Sequence, residues 1–514
     1  MNKSKVVRET FSVCPVCLRK VEAKIVEEKG KILLKKSCNL HGDFNDVYWI
    51  NAELYHWAED LGQRMSEIKP FHQQSLDKCP YDCGLCSLHA SKTVMAVIDV
   101  TNECDLKCPI CFANSSNIDS IYEPDKDTIF RMLKFLKKQD PPPPAVMFSG
   151  GEPTVRGDIV EIVKMAHDLR FMILLATNGL RMAQNPRMVK ELKDAGLNIV
   201  YLQFDGLTNS PYEKLRGAKL LQKKLKLIKL CRDFDIEVIL VPTVHGGVND
   251  DEIGEIIRFA AENVDIIRGI VFQPMSFTGR TESVVSRKDR VCNSLLARRI
   301  EEQTAGKISE KDLFPVSLMV PPIKVMNGFL AKSWPSFTPT PYCGLWNWVL
   351  VSRQKKHLFI PINHFLDFDA FMSDLSAMSK TSSRWIIGRV GIYLKLLFAS
   401  LRHLDWKKVQ QEAGLIKTVK MLIKIHTRPS YDSLGEIRRR LLLIGSMAFM
   451  DPYTFDVERA KRCVIHYVTP ALQLIPFCVY NMFYRQKIEQ QYGKAHVHAG
   501  ARLDLSSTVP RAQA

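Results

Sequence analysis

The 514-residue chain has no apolar run of the roughly 18 uncharged residues that a membrane-spanning helix needs, so a membrane-spanning protein is not expected. Its first residues, MNKSKVVRETFSVC, lack the apolar segment of a secretory signal, which predicts a cytoplasmic protein.

Acidic residues are outnumbered, with 55 Asp and Glu against 72 Lys and Arg, and the formal net charge is +17. The charge is compatible with nucleic acid. However, the sequence has no recognised nucleic-acid module and no basic patch interleaved with aromatic residues, so we do not expect a nucleic-acid partner.

Cysteine, in contrast, is frequent, and a cytoplasmic protein is not expected to hold its 14 cysteines in disulfides. Cys231 and Cys292 lie in helical stretches and are interpreted as ordinary core or surface residues. The other twelve fall into groups or lie beside Pro, Gly or His. This arrangement indicates metal binding.

The first cysteine group consists of two short pairs, Cys14-Pro-Val-Cys17 and Cys38-Asn-Leu-His41. The residues between them read as a β-hairpin with its turn at Glu28-Lys29-Gly30. Two such knuckles around a hairpin can close a tetrahedral site for one ion. The spacing does not choose between zinc and a rubredoxin-like iron.

Two further groups are triplets with the spacing C-x3-C-x2-C. The first triplet is Cys79, Cys83 and Cys86, and the second triplet is Cys104, Cys108 and Cys111. Three thiolates at this spacing can hold one cubane iron–sulfur cluster and leave one iron open. A zinc knuckle is the alternative for each.

The last cysteines are dispersed: Cys343, Cys463 and Cys478 lie far apart in sequence, with His466 near Cys463. They can complete or build an auxiliary cluster, and buried apolar cysteines are the alternative.

The second triplet begins just after an apolar, β-branched run, and strand-like and helix-like segments alternate from there on. The predicted strands are 95–101, 144–149, 172–177, 199–205, 237–244 and 269–275, and the predicted helices 127–138, 157–169, 187–195, 217–233 and 250–263. Such alternation favours a parallel sheet that is closed or partly closed into a barrel. Catalytic groups are then expected where the strands end.

Polar and glycine-rich motifs do follow these strands. They are Ser149-Gly150-Gly151-Glu152-Pro153, Thr177-Asn178-Gly179, Gln203-Phe204-Asp205-Gly206, Pro242-Thr243 and Gln273-Pro274. Two consecutive glycines allow the backbone to approach a ligand closely.

Residues 95–280 resemble the radical S-adenosylmethionine superfamily. Its members carry the C-x3-C-x2-C loop after the first strand of a partial (βα)6 barrel and a GGE motif after the second strand. Both motifs are present, as the second triplet and as Gly150, Gly151 and Glu152, although the aromatic residue that often precedes the third cysteine is Ile110 here and Phe112 follows instead.

This resemblance implies a cofactor and a chemistry. The second triplet would hold a 4Fe-4S cluster whose open iron binds the amino and carboxylate groups of S-adenosylmethionine. The GGE segment would position the methionine amino group, and Asn178 and Asp205 would be further ligand contacts. Reductive cleavage would yield a 5′-deoxyadenosyl radical that abstracts hydrogen from a substrate. Such a site is expected to be oxygen-sensitive.

The remaining motifs resemble a narrower group, which includes archaeal tetraether lipid synthase and the radical pterin methylase. They are CPVC…CNLHGDF, CPYDCGLC, FQPMSFTGR and RCVIHYVTP…IPFCVYN. This resemblance implies a mononuclear iron or zinc at Cys14, Cys17, Cys38 and His41, one auxiliary 4Fe-4S cluster at the first triplet and another at Cys343, Cys463 and Cys478.

The predicted function is hydrogen abstraction from lipid hydrocarbon chains that leads to carbon–carbon coupling. The alternative is a radical methyltransferase acting on a pterin or another small molecule. The expected partners are therefore a lipid or small-molecule substrate and a reductase or ferredoxin-type electron donor.

The predicted organisation has three regions: a metal-binding region over 1–92, the barrel over 93–282 and a mostly helical region over 283–514. Residues 384–426 and 438–450 are basic and apolar. We expect either helices lying on the inner, anionic face of a membrane or core helices with a solvated basic face.

Overall fold

The computed structural model describes residues 4–65, 79–84, 89–116, 120–281, 286–329, 334–352, 359–379, 386–412 and 435–495, together with residues 414, 416, 418–420 and 422. The predicted ligand Cys86 lies outside the described residues, as do residues 384–385 and 423–426 of the basic segment.

The N-terminal region is a four-stranded antiparallel sheet followed by one helix. Its elements are β1 (Lys5–Val13), β2 (Lys20–Glu28), β3 (Lys31–Cys38), β4 (Gly42–Trp49) and α1 (Ala52–Met65). The predicted hairpin is confirmed, because Glu28 pairs with Lys31 across a two-residue turn. Lys29 and Gly30 both have positive φ, as the tightest hairpin turns require.

The central region contains all six predicted barrel strands, in the order β5-β8-β9-β10-β11-β13 and all parallel. The elements of this region are β5 (Met95–Thr101), β6 (Ile110–Cys111), β7 (Ser120–Ile121), α2 (Lys126–Lys137), β8 (Ala145–Gly150), α3 (Ile159–Asp168), β9 (Met172–Thr177), α4 (Leu180–Gln184), α5 (Pro186–Asp194), β10 (Ile199–Gln203), α6 (Ser210–Arg216), α7 (Leu221–Asp233), β11 (Glu237–Val241), β12 (Thr243–Val244), α8 (Ile253–Glu262), β13 (Ile267–Pro274) and β14 (Arg280–Thr281).

Hydrophobic periodicity explains why these helices cover the sheet. Helix α2 begins where the Asp125 carboxylate accepts a 2.8 Å hydrogen bond from the Thr128 N–H. It then buries Ile129, Met132, Leu133 and Leu136, whose spacing places them on one face. These side chains join the barrel strands in one continuous apolar core.

The C-terminal region combines the remaining helices with strands that extend the same sheet. Its elements are α9 (Asn293–Gln303), β15 (Phe314–Pro315), α10 (Val320–Phe329), β16 (Leu345–Val351), β17 (Phe359–Pro361), α11 (Phe368–Ser379), α12 (Ile386–Arg402), α13 (Trp406–Glu412), α14 (Gly435–Arg438), β18 (Leu441–Ser446), α15 (Val457–Lys461), β19 (Ile465–Val468), β20 (Leu474–Pro476), α16 (Phe477–Val479), α17 (Arg485–Tyr492) and β21 (Lys494–Ala495). Strand β18 lies parallel beside β13 at one edge of the barrel, and β19 lies parallel beside β5 at the other.

The helix expected over 438–450 is wrong, because this run contains β18. A short apolar run fits a buried strand as well as a helix, and here a place in the sheet decides between them. Two of the flanking arginines bind partners within the protein. Arg438 pairs with Glu237, and Arg440 donates hydrogen bonds of 2.9 Å to the carbonyls of Val351 and Glu412.

The basic segment forms α12 and α13, which leave several apolar side chains exposed. Leu394 and Phe398, one turn apart on α12, are 56% and 64% exposed. None of the helices in the described ranges combines the length and the apolar character that crossing a membrane requires. Association with a membrane surface stays a prediction.

A buried carboxylate lies at the contact between the N-terminal sheet and the C-terminal region. Asp456 forms an ion pair with Arg8, accepts a 2.8 Å hydrogen bond from the Thr10 hydroxyl and lies 3.4 Å from the Tyr48 hydroxyl. Burial opposes the charged carboxylate, but pairing with Arg8 and the Thr10 hydrogen bond hold the pKa of Asp456 below its ordinary value. The interface therefore depends on a charge pair with little access to water.

We predict that Asp456→Ala lowers the free energy of unfolding by about 3–5 kcal/mol, because it leaves the Arg8 charge buried without a partner. Urea unfolding followed by tryptophan fluorescence measures this change. The matched control is Asp265→Ala, which removes the exposed ion pair with Arg232 and should cost at most about 1 kcal/mol. Equal losses in the two variants would contradict the prediction.

The same pair should make stability dependent on pH. Because pairing depresses the folded-state pKa of Asp456, its contribution is present above the ordinary carboxyl pKa of about 3.9 and is lost as the pH falls through the lower folded value. The difference in unfolding midpoint between wild type and Asp456→Ala should therefore shrink in acid.

Candidate active site and metal centres

The second triplet occupies the loop that follows β5, at the carboxyl edge of the parallel strands. Cys104, Cys108 and Cys111 line a cavity of about 270 Å³, to which Gly150 and Gly151 also contribute. This volume is close to the lower limit of about 300 Å³ that is typical of small-molecule sites. The three thiols thus face a compact cavity at the edge where barrel enzymes carry out chemistry.

Burial affects the state of these thiols. It raises the pKa of Cys104 and of Cys108 above the ordinary value. A buried thiol becomes a stable thiolate when a cationic centre lies next to it, and a bound metal cluster is such a centre. The donor set therefore fits an iron–sulfur cluster.

Residues of the FQPMSFTGR motif hold the triplet loop in place. Strand β14 pairs with β6, which contains Cys111. The Arg280 guanidinium donates a 2.7 Å hydrogen bond to the Cys108 carbonyl and a 3.1 Å bond to the Ser115 carbonyl. Gly279 has a φ of +74°, and a Cβ there would lie 2.4 Å from the Cys111 carbonyl oxygen. Only glycine fits at this position.

The double glycine after β8 approaches the backbone of the triplet loop. The Gly151 N–H donates a 2.8 Å hydrogen bond to the Thr101 carbonyl, and a Cβ at Gly150 would lie 2.0 Å from that oxygen. A Cβ at Gly151 would lie 2.1 Å from the Glu103 carbonyl oxygen. The glycines therefore fix the segment that leads into Cys104, in addition to lining the cavity.

The buried Glu152 carboxylate links two of the segments that line the cavity. Its carboxylate accepts 2.6 Å hydrogen bonds from the Thr154 and Thr177 hydroxyls and from the Asn178 N–H. Burial raises the pKa of Glu152, while these hydrogen bonds favour the charged form. The carboxylate thus joins the loop after β8 to the end of β9.

Asn178 connects the end of β9 to the triplet loop. Its side-chain amide donates a 2.6 Å hydrogen bond to Asp105, the residue after Cys104, and it lines the cavity. The buried amine of Lys224 donates to the Asn178 carbonyl and, at 2.6 Å, to the Gln203 side chain. Burial lowers the pKa of Lys224 to about 7.

Asp205 is buried and forms a bidentate ion pair with Arg216, with distances of 2.7 and 2.9 Å. Arg216, rather than Asp205, is the member of the pair that lines the cavity. Burial opposes the guanidinium charge, but the Asp205 carboxylate raises the pKa of Arg216. Arg216 also donates to the Ile110 carbonyl, which places its positive charge beside the triplet loop.

Sequence reasoning did not identify Arg216 and Lys224. The available indication for Lys224 was a cation on the apolar face of a helix, because it shares the buried side of α7 with Leu227, Ile228 and Cys231. Cys231 is buried there, and Cys292 is buried directly before α9, so both are core residues rather than surface residues.

The four side chains of the N-terminal cysteine group lie close enough together to bind one ion. The ligand atoms of Cys14, Cys17, Cys38 and His41 all lie within 4.8 Å of one another. The sulfurs of Cys17 and Cys38 are 3.9 Å apart, and His41 Nδ1 lies 3.5 Å from the sulfurs of Cys14 and Cys38. A tetrahedral zinc with Zn–S bonds of about 2.3 Å and a Zn–N bond of about 2.0–2.1 Å requires about 3.8 Å and about 3.6 Å, respectively. The side chains therefore match a mononuclear ion.

Two cysteines of the first triplet, Cys79 and Cys83, lie within the described residues. Cys79 is buried, and its hydrogen bond with Cys83 lowers its pKa. The Tyr81 hydroxyl between them donates to the Leu18 carbonyl, beside the N-terminal knuckle. Two of the three predicted ligands are thus adjacent to each other.

The dispersed cysteines approach one another in the fold. Burial raises the pKa of Cys463 to about 11 and of Cys478 to about 12, and the Cys343 thiol contributes to both shifts. The buried Arg459 guanidinium also contacts Cys343. Within the described part of the chain, the tight grouping of four ligand atoms occurs at the N-terminal site alone. Wider spacing suits ligands that bind different irons of one cluster.

Comparison with known proteins agrees with this geometry. The model of the Radical SAM superfamily matches residues 98–260, and that of the HMPTM N-terminal zinc ribbon domain matches residues 6–50. The superfamily resemblance and the α/β fold predicted from the sequence are thereby confirmed.

Individual relatives differ in how much of the chain they cover. The 7,8-dihydro-6-hydroxymethylpterin dimethyltransferase of Methanocaldococcus jannaschii is 41% identical over 493 residues, which is 94% of this chain and 95% of that protein. A probable GTP 3′,8-cyclase of Pyrococcus abyssi is 32% identical over 170 residues, 32% of this chain and 52% of that protein.

Among solved structures, SuiB of Streptococcus suis bound to S-adenosylmethionine matches with a TM-score of 0.36 and 23% identity, covering 42% of this chain and 47% of that one.

The family of the chain follows from two matches, the near full-length match to the pterin dimethyltransferase and the superfamily match to the barrel. The chain is a radical SAM enzyme and belongs to the same family as the pterin dimethyltransferase of Methanocaldococcus jannaschii.

Proposed function

We propose that the protein is a radical S-adenosylmethionine methyltransferase that acts on a reduced pterin of the 7,8-dihydro-6-hydroxymethylpterin type. The observation that carries the proposal is 41% identity over 95% of a pterin dimethyltransferase, which includes the N-terminal sheet, the barrel and the C-terminal region. It favours the methyl-transfer alternative over the lipid coupling that was predicted first.

The second triplet is proposed to hold a 4Fe-4S cluster with one iron open to S-adenosylmethionine. When bound and reduced, this pair supplies a 5′-deoxyadenosyl radical that takes a hydrogen atom from the substrate. The chain itself would position the cluster and the substrate and keep water out of the cavity. The triplet loop is fixed by Arg280 from one side and by the Gly150-Gly151 backbone from another.

Arg216 is proposed to bind the carboxylate of S-adenosylmethionine. Its guanidinium lines the cavity beside the triplet, and the bidentate bond to Asp205 fixes its orientation. Because bonds to Asp205, the Ile110 carbonyl and the Thr243 hydroxyl use four of its five N–H groups, it would offer a carboxylate its positive charge and one N–H. Asp205 therefore acts through Arg216, and Asn178, anchored to Asp105, completes this side of the cavity.

The other cysteine groups are proposed to hold further metals. The distances at the N-terminal site fit zinc, and the match to a zinc ribbon domain supports zinc over iron. Cys79 and Cys83 with Cys86, and Cys343 with Cys463 and Cys478, are proposed to hold one or two auxiliary iron–sulfur clusters. A reductase or ferredoxin-type electron donor and a cytoplasmic location stay predictions.

We predict that anaerobically reconstituted, reduced enzyme forms 5′-deoxyadenosine and a methylated pterin when it is given S-adenosylmethionine, a folate-derived one-carbon donor and 7,8-dihydro-6-hydroxymethylpterin. Liquid chromatography with mass spectrometry measures both products. Cys108→Ala should abolish both, because it removes a ligand of the proposed cluster. Cys231→Ala, a buried cysteine outside the metal groups, is the matched control and should retain both. Formation of 5′-deoxyadenosine with an unchanged pterin, but with a coupled product from phospholipid, would restore the lipid alternative.

We predict that Asp205→Asn weakens binding of S-adenosylmethionine at least tenfold, because Arg216 loses the charge that orients it. The change in the electron paramagnetic resonance spectrum of the reduced cluster on titration with S-adenosylmethionine measures the affinity. Asp158→Asn removes an ion-pair partner of Arg156 outside the cavity and serves as the control. Unaltered affinity in Asp205→Asn would exclude the role assigned to this pair.

We predict that Cys38→Ser lowers the zinc content by about one equivalent per chain and leaves the iron content unchanged, because a mononuclear site needs its full ligand set. Elemental analysis by mass spectrometry measures both metals. Cys292→Ser, which alters a buried cysteine outside the metal groups, is the control. Loss of one iron in place of zinc would identify the site as rubredoxin-like.

A further inference from the structure

Part of the wall of the reaction cavity consists of three phenyl rings from distant parts of the chain. Phe112 follows the cluster ligand Cys111, Phe449 follows β18, and Phe477 precedes Cys478. The rings of Phe449 and Phe477 stack with centroids 4.4 Å apart and an angle of 24° between their planes. Phe112 lies 5.4 Å from the first and 5.6 Å from the second. The three rings thus form one continuous aromatic patch.

This patch is supported from behind. The Tyr467 ring, which also lines the cavity, lies 5.1 Å from Phe477 and stacks on Tyr480 at 4.1 Å. The Arg485 guanidinium lies 5.3 Å from the Tyr467 ring centre and 5.1 Å from that of Tyr480, and its ion pair with the buried Asp99 measures 2.7 Å. The aromatic patch therefore has a fixed shape.

The three phenyl rings are only half-buried although they line a concave cavity. Each leaves apolar ring surface in contact with the space where a substrate has to lie. Since the two rings of the closest pair are already stacked, a ligand has access to the outer surface of the patch and not to the space between those rings. Such a surface favours a flat, conjugated ring, which stacks on aromatic faces with good contact and little loss of freedom.

Polar groups lie in the same cavity. The Gln273 amide donates a 3.2 Å hydrogen bond to the Tyr201 hydroxyl, and both side chains line the cavity. Burial raises the pKa of Tyr201 to about 12, so its hydroxyl is a neutral donor at physiological pH. An amide and a phenol supply the donors and acceptors that the nitrogen-rich edge of a pterin requires.

We propose that Phe112, Phe449 and Phe477 form a stacking platform that binds the heteroaromatic ring of the substrate, with Tyr201 and Gln273 contacting the polar edge of that ring. This inference rests on the proposed function and specifies where its substrate binds. Because one ring adjoins Cys111 and another adjoins Cys478, the substrate would lie between these two cysteines. These phenyl rings are specificity-determining residues and hold no metal.

The test uses reconstituted, full-length enzyme under anaerobic conditions with S-adenosylmethionine present. The probe is 6-hydroxymethylpterin, the oxidised and fluorescent form of the ring, and fluorescence quenching measures its Kd. Phe449 is the residue to change, because no cysteine is next to it in sequence. Its neighbours Ala448 and Met450 donate backbone hydrogen bonds to the Cys343 carbonyl and the Cys478 sulfur, so the iron content has to be measured in each variant. Phe449→Leu should raise the Kd at least tenfold, equivalent to about 1.4 kcal/mol. Phe449→Tyr retains the ring and should stay within about twofold of wild type.

Phe259→Leu is the matched control, since it removes a ring of α8 that stacks on Phe204 with centroids 5.5 Å apart and away from the cavity. It should bind the probe like wild type. Iron content and the circular dichroism spectrum show whether each variant is folded and loaded. A double variant, Phe449→Leu with Phe477→Leu, should weaken binding further than either single change.

The possible results separate the two proposals. If wild type methylates the dihydropterin but Phe449→Leu binds the probe as tightly as Phe259→Leu, the stacking platform is wrong and the proposed function stands. If wild type neither binds the probe nor methylates the dihydropterin, the proposed function is wrong and the platform is wrong with it. Weaker binding in Phe449→Leu, together with rescue by Phe449→Tyr, supports both.

Discussion

The contact between the double glycine and the backbone that leads into Cys104 positions the carboxyl edge of the barrel. Hydrogen bonds from Gly151 and Glu152 to the carbonyls of Thr101 and Glu103 hold the loop after β8 against the end of β5 at a distance that no side chain permits. Glu152 then binds the end of β9, and Asn178 at that end binds Asp105 in the triplet loop. These contacts form a closed ring, so the proposed cluster site has little freedom to move.

The barrel contributes the cysteine triplet and polar side chains to the cavity, whereas the C-terminal region contributes mainly aromatic rings. The barrel strands and their loops place the triplet, Arg216 and Asn178 on one set of surfaces. Two of the three phenyl rings and the Tyr467 ring come from residues beyond the barrel. The chemistry of radical formation can therefore be common to the superfamily, while the proposed substrate platform takes Phe449 and Phe477 from outside the part matched by the superfamily model.

The sequence predicted the features that depend on short-range patterns. The six strands, most of their helices and the four N-terminal ligands follow from hydrophobic periodicity and from knuckle spacing. Prediction from the sequence failed where a structure depends on contacts between residues that are far apart in the chain. Strand β18 is a six-residue apolar run whose state is decided by the open edge of β13, a neighbour that local pattern does not show. Glu152 and Asp205 were singled out from their positions at strand ends, but their bonds to Thr177 and Arg216 can be seen only once the strand ends are aligned.

The positions of β18 and β19 also bear on the order in which the molecule assembles. Both outer strands of the six-stranded barrel, β5 and β13, pair with strands that come much later in the chain. During translation the barrel would therefore have two unpaired edges until β18 and β19 have been synthesised. Exposed strand edges invite pairing with other chains. The two edges of the barrel therefore close only when strands from the C-terminal region are in place, so the barrel and that region have to fold together.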